Sequence, residues 1–102
     1  MAWKRVAAAS EVPAGEVRVF AVDGRSLAVA NAGGDLYAID DVCTHDGGPL
    51  GEGAVWGTQV ECPRHGARFD LKTGRPTTLP AVVPVRTYPA RLQGEDVEVD
   101  VD

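Results

Sequence analysis

Every cysteine and histidine in this chain falls in one run, CTHDGGPLGEGAVWGTQVECPRHG, from residue 43 to 66. The 102 residues contain two cysteines and two histidines, arranged as Cys43-x-His45 and Cys62-x-x-His65 with sixteen residues between the pairs. Three chemistries compete for them. A Cys43–Cys62 disulfide would leave unexplained why a histidine follows each cysteine within three residues. A Cys2His2 zinc site has the right donors, but zinc modules usually open with two cysteines and close with two histidines, whereas each pair here is mixed. A binuclear iron–sulfur cluster gives the alternation a reason. Two irons need two ligands each, and two loops can each give one ligand to either iron. The short Cys43 and Cys62 would then hold the inner iron, and the longer His45 and His65 would reach past it to the outer one.

The bulk numbers narrow the setting. One small domain spanning residues 1–102 is expected, with a modest core that a bound metal centre would help to hold. A formal net charge of −5 leaves no excess of cations to replace phosphate counterions, which argues against nucleic acid. The same charge suits docking onto basic protein surfaces, or simple solubility. No apolar run approaches the roughly 18 residues a membrane span needs. The N-terminal MAWKRVAAAS is too short and weakly apolar for a signal peptide, so the expected compartment is the cytoplasm. There, two cysteines are expected reduced or metal-bound.

The elements that must position these ligands read as short strands. Trp3–Ala8, Glu16–Val22, Ser26–Asn31 and Leu36–Asp40 are separated by turn signals at Pro13–Gly15, Asp23–Gly24 and Gly33–Gly34. After the ligand run, Arg68–Leu71 reads as a strand and KTGR (72–75) as a tight turn. Val85–Leu92 and Val97–Val101 should pair across Gln93-Gly94-Glu95. No window shows an unbroken helical period, and the fold class expected is all-β, an antiparallel sandwich or barrel. The ligands sit in an insertion at about 41–70 that carries six of the twelve glycines.

The pattern C-x-H, a gap of sixteen, then C-x-x-H resembles the Rieske motif, in which two histidines replace two cysteines on one iron of a 2Fe-2S cluster. Thr44, Pro63 and Gly66 are similar to the family's usual fillers. The strands before the motif and the hairpin after it resemble a Rieske-type sandwich with a small cluster-binding subdomain inserted as two loops. GRPTTLPAVVP (74–84) resembles the proline-bearing loop that covers the cluster, with Pro80 as the covering residue. The resemblance implies one cluster per chain, with Cys43, His45, Cys62 and His65 as its ligands.

Charge then gives the function a direction. Two ferric ions, two sulfides and two thiolates sum to neutrality, so adding an electron is easier than with four thiolates, and the potential rises. High-potential relatives add a disulfide and hydroxyl donors near the second cysteine. Here Gly48 and Arg64 stand where the extra cysteines would be, and Ala67 and Phe69 replace the serine and tyrosine, removing side-chain donors. A low potential is expected, roughly −150 mV, as in soluble bacterial ferredoxins serving ring-hydroxylating dioxygenases.

Both histidines are used by the cluster, leaving none for the mononuclear iron triad of an oxygenase. No G-x-G-x-x-G follows a strand, and no nucleophile–histidine pair remains. An electron carrier rather than an enzyme is expected. It would be a monomer taking electrons from a flavin-dependent reductase and passing them to a terminal oxygenase. Docking would occur at the tip around His45 and His65, with Asp46 and Arg64 read as ordinary loop charges. Trp56 is expected to pack the base of the loops and Trp3 to join the core. Two rivals stay open at this point: the small subunit of an assimilatory nitrite reductase, and a zinc-stabilised interaction module.

Overall fold

The computed structural model describes residues 2–44, 47–64, 66–79 and 83–101. Among these residues, ten strands form three antiparallel sheets: β1 (Trp3–Ala8), β2 (Val17–Val22), β3 (Arg25–Ala32), β4 (Asp35–Asp40), β5 (Ala54–Trp56), β6 (Gln59–Glu61), β7 (Arg68–Asp70), β8 (Thr87–Tyr88), β9 (Ala90–Gln93) and β10 (Asp96–Asp100). Their orders are β1-β10-β9, β2-β3-β4-β8 and β5-β6-β7. The all-β antiparallel expectation holds.

The four-stranded sheet is the middle layer, and β3 shows why. Leu27, Ala28, Val29 and Ala30 are all fully buried, so this strand has a packed neighbour on each face. Leu27 and Val29 point with Val22 and Ala38 into one apolar cluster, shared with Val97 and Val99 of β10. Ala28, Ala30 and Ala32 point with Ile39 into a second cluster, shared with Val60 and Phe69 of the small sheet. Successive side chains of a strand alternate faces, so one strand supplies large residues to one layer and alanines to the other. The alanines let the ligand-bearing layer come close.

The Asp23–Gly24 hairpin forms as expected, with φ of 49° and 77° at its two turn residues. Two expectations need correction. The run Val85–Leu92 is not one strand, because Pro89 divides it. Tyr88 and Thr87 pair with Ala38 and Ile39 in the middle sheet, while Ala90–Gln93 pairs with β10 in the outer one. Proline has no amide hydrogen to donate, and the Pro89 carbonyl accepts from Asp100 N at 2.9 Å. Secondly, the insertion is more than loops, since Ala54–Trp56 and Gln59–Glu61 form a hairpin that β7 completes.

Tyr88 locks the break between sheets. Its hydroxyl donates to Asp40 Oδ1 at 2.6 Å, and the guanidinium carbons of Arg86 and Arg25 lie 4.7 and 5.8 Å from its ring centroid. Burial, then the hydrogen bond and charge of Asp40, push its pKa above the ordinary value near 10, against a smaller opposing pull from the two arginines. A raised folded-state pKa means this contribution is complete below about pH 10 and is lost as pH rises through the folded value. Tyr88→Phe is expected to cost about 1.5–3 kcal/mol in urea unfolding at pH 7, as for a hydrogen bond to a charged group. It should also remove part of the alkaline fall in stability; an unchanged urea midpoint would contradict this role.

Candidate metal centre

The two ligand loops are built alike. In the first, the Cys43 amide donates to the Gly48 carbonyl at 2.7 Å, and the Gly47 amide returns to the Cys43 carbonyl at 2.7 Å. In the second, the Cys62 amide donates to the Ala67 carbonyl at 2.7 Å, and the Gly66 amide returns to the Cys62 carbonyl at 3.2 Å. Each loop thus begins at a cysteine and closes with the same two backbone bonds, to the residues four and five positions on. The fourth residue is glycine in both, at φ 76° for Gly47 and 73° for Gly66. That left-handed conformation is costly for a residue with a Cβ, so CTHDG and CPRHG share their glycine for a reason of shape.

Both cysteines point into one dry cluster. Cys43 and Cys62 are 0% and 1% exposed and belong to the same buried group as Leu50, Val60, Ala67 and Phe69. No disulfide joins them, which sets aside the cystine reading of the pair. His45 and His65, with Asp46, lie outside the described residues, as does Pro80. Arg64, beside His65, is exposed.

Several contacts hold the first loop and the small sheet to the middle layer. The Asp41 carboxylate accepts from the Gly51 amide at 2.7 Å, at a short 3-10 turn (Leu50–Glu52), and from the Ser26 hydroxyl at 3.3 Å. At Gly53 the chain passes so close to β6 that a Cβ would lie 1.8 Å from the Glu61 carbonyl oxygen.

Residues 74–79 and 83–85 touch both ligand loops. Their base is closed by Val85 N donating to Gly74 O at 2.8 Å. Near one end, Thr77 N donates to Arg68 O at 2.7 Å, and the Thr78 hydroxyl receives Arg68 N at 2.8 Å while donating to Gly66 O at 3.4 Å. At the other end the Thr44 hydroxyl donates to the Val83 carbonyl. The threonine staples were not read from the sequence, although three threonines beside the motif and the loop were the available signal.

The tryptophans depart from expectation. Val55 packs against the core cluster, so its neighbour Trp56 must face outward; it is 52% exposed, with the Arg68 guanidinium 5.2 Å over its ring. Trp3 is only part-buried, under Arg91 at 3.9 Å, rather than a core residue.

Buried thiols in twinned loops, each followed by an imidazole residue, are the donor set of a mixed-ligand iron–sulfur centre, and the comparisons agree. The sequence profile described as Rieske [2Fe-2S] domain matches residues 2–89. The chain belongs to the Rieske family. It is 36% identical over 99 residues to the ferredoxin component of a naphthalene 1,2-dioxygenase system from Pseudomonas aeruginosa, covering 97% of this chain and 95% of the relative. Among solved structures, the ferredoxin of carbazole 1,9a-dioxygenase from Nocardioides aromaticivorans IC177 superposes with a TM-score of 0.91 at 37% identity, covering 97% of both chains. A chain from a complex of reduced oxygenase and oxidized ferredoxin in carbazole 1,9a-dioxygenase superposes at 0.88 with 37% identity, covering 95% of this chain and 91% of that one. Like these Rieske ferredoxins, the protein is an electron carrier rather than an enzyme. No helix among the described residues is long and apolar enough to cross a membrane.

The close approach at Gly53 gives a paired test. Gly53→Ala must push β6 away and is expected to cost about 3 kcal/mol, with loss of bound iron. Gly57→Ala sits at φ 61° with nothing within 4 Å of its Cβ position, so only backbone strain of about 1 kcal/mol is expected, with iron retained. Chemical denaturation and iron analysis of both variants check this; equal behaviour would contradict it.

Proposed function

We propose that Cys43 and His45 of the first loop, with Cys62 and His65 of the second, hold one 2Fe-2S cluster per chain. The protein carries single electrons from a flavin-dependent reductase to a terminal oxygenase, as a cytoplasmic monomer. Residues 1–102 act as one Rieske domain, with about 41–70 as its cluster-binding insertion. The observation that carries this reading is the pair of equivalent loops, each delivering a buried cysteine to the same apolar cluster. The acceptor is inferred from the relatives named as dioxygenase components and from the solved ferredoxin–oxygenase complex.

When bound, the cluster supplies a one-electron ferric/ferrous couple at a potential tuned by its surroundings. The chain's part is to position, shield and tune. Cys43 and Cys62 would present their sulfurs from a buried apolar interior. The amides of Cys43, Gly47, Cys62 and Gly66 are spent on loop carbonyls, so these four are not available to sulfur acceptors. Ala67 and Phe69, both fully buried beside the cysteines, carry no side-chain donor. Ala67 and Phe69 thus offer the reduced state no side-chain hydrogen bond, which supports the low-potential assignment near roughly −150 mV.

The functional test is turnover by NADH, a flavin-dependent reductase and a ring-hydroxylating oxygenase, with this protein as the only link. Product should form only when the protein is present. Failure to reduce any oxygenase, or a potential well above zero, would overturn the assignment. Ala67→Ser adds one hydroxyl beside Cys62, and a hydrogen bond of about 1 kcal/mol to the reduced centre corresponds to about 40 mV upward. Protein-film voltammetry of the two proteins checks that shift, and an unchanged or lowered potential would contradict it.

A further inference from the structure

Asp41 has a task beyond loop packing, one that rests on the cluster reading above. We propose that its carboxylate is a fixed negative charge that holds the potential of the centre down by opposing the incoming electron.

Three observations carry this. First, the charge is fastened beside the first ligand loop. Asp41 stands two residues before Cys43, and its amide donates to the Ser26 carbonyl of β3 at 3.0 Å. Both carboxylate oxygens are held, Oδ1 by the Gly51 amide at 2.7 Å and Oδ2 by the Ser26 hydroxyl at 3.3 Å. Gly51 follows Leu50, which is fully buried in the same apolar cluster as Cys43 and Cys62. The carboxylate is therefore anchored to the layer that carries both cysteines. Secondly, the charge is not offset. Glu16, Asp23, Glu61, Asp96 and Glu98 each pair with an arginine or a lysine, whereas no Lys or Arg among the described residues makes an ion pair with Asp41. Its two side-chain partners are neutral donors. Thirdly, Asp41 is half-buried, so water and salt screen it less than a charge in open solvent. Two thiolates leave the oxidised core neutral and the reduced core at −1. A nearby fixed anion therefore raises the energy of the reduced state above all, and the potential falls.

Val19, on the neighbouring β2, gives a second handle on the same charge. Its Cγ2 and the Asp41 Oδ1 both lie within 3.0 Å of the position a Cβ on Gly51 would take, so the two side chains flank one spot. Val19 is 42% exposed, and a lysine there brings an ammonium to the carboxylate while its hydrogen bonds stay.

The test is a redox titration of the holoprotein at pH 7, with EPR and iron analysis on the same samples. Asp41→Asn keeps an acceptor for the Gly51 amide but removes the charge. At a fixed applied potential its ratio of reduced to oxidised protein should rise about tenfold, which is about 59 mV upward for a one-electron couple. Val19→Lys should move the ratio the same way by at least threefold, and Val19→Gln by less than twofold. Ser26→Ala removes one hydrogen bond and leaves the charge, so its ratio should stay within twofold of the wild type. The EPR spectrum and iron content of all four should match the wild type; should Asp41→Asn lose its iron, Val19→Lys against Val19→Gln decides alone. An Asp41→Asn ratio within twofold of the wild type, or an equal shift in Ser26→Ala, would overturn the role of the charge while leaving the electron carrier standing. A wild type without a binuclear iron centre would remove both.

Discussion

The structure is organised around one constraint: two thiols must be delivered to one buried apolar cluster by backbone that lies outside the strands and helical turns. The solution is a loop used twice. Each cysteine amide bonds five residues forward and each cysteine carbonyl receives the amide four residues on, so the backbone of each cysteine is satisfied within its own loop. Buried polar backbone that finds its partners locally costs little, which is what allows the cysteines to sink to 0% and 1% exposure.

The remaining layers follow from bringing those loops together. A third sheet is needed to carry the second loop, and it must lie close to the first. Ala28, Ala30 and Ala32 clear space on the facing side of β3, and Gly53 allows β5 and β6 to meet without a side chain between them. Consecutive acidic residues at the end of β4 then tie the halves. Asp40 holds Tyr88 on the basal side, and Asp41 holds Gly51 at the entry to the small sheet. A chain of 102 residues has a limited core to spend on such a layered arrangement. Two modest apolar clusters, one on each face of the middle sheet, share the task.

Much of this was legible in the residues. The four ligand residues and their spacing pointed to the Rieske family, and runs rich in valine and aromatic residues between turn signals located most strands of the two larger sheets. What could not be read had physical reasons. The strands β5 and β6 are three residues long, too short to display a period. Pro89 breaks a run that is apolar on both sides of it, since its two halves serve different sheets. Trp56 reads as packing the base of the ligand loops, but its direction is decided by Val55 next to it, and only pairing reveals that parity. The twinned loops are written in backbone bonds, and their only trace in the letters is the glycine four residues after each cysteine. His45, His65 and Pro80 remain assignments from spacing and resemblance.

The central claim is that imidazole and thiolate share one binuclear iron centre. EPR of the dithionite-reduced protein, with iron and acid-labile sulfide measured on the same sample, tests it most directly. The account predicts two irons and two sulfides per chain and a rhombic signal whose average g value lies below that of all-cysteine clusters. A colourless, fully folded protein containing zinc, or a signal with the average g value of four-cysteine ligation, would contradict it.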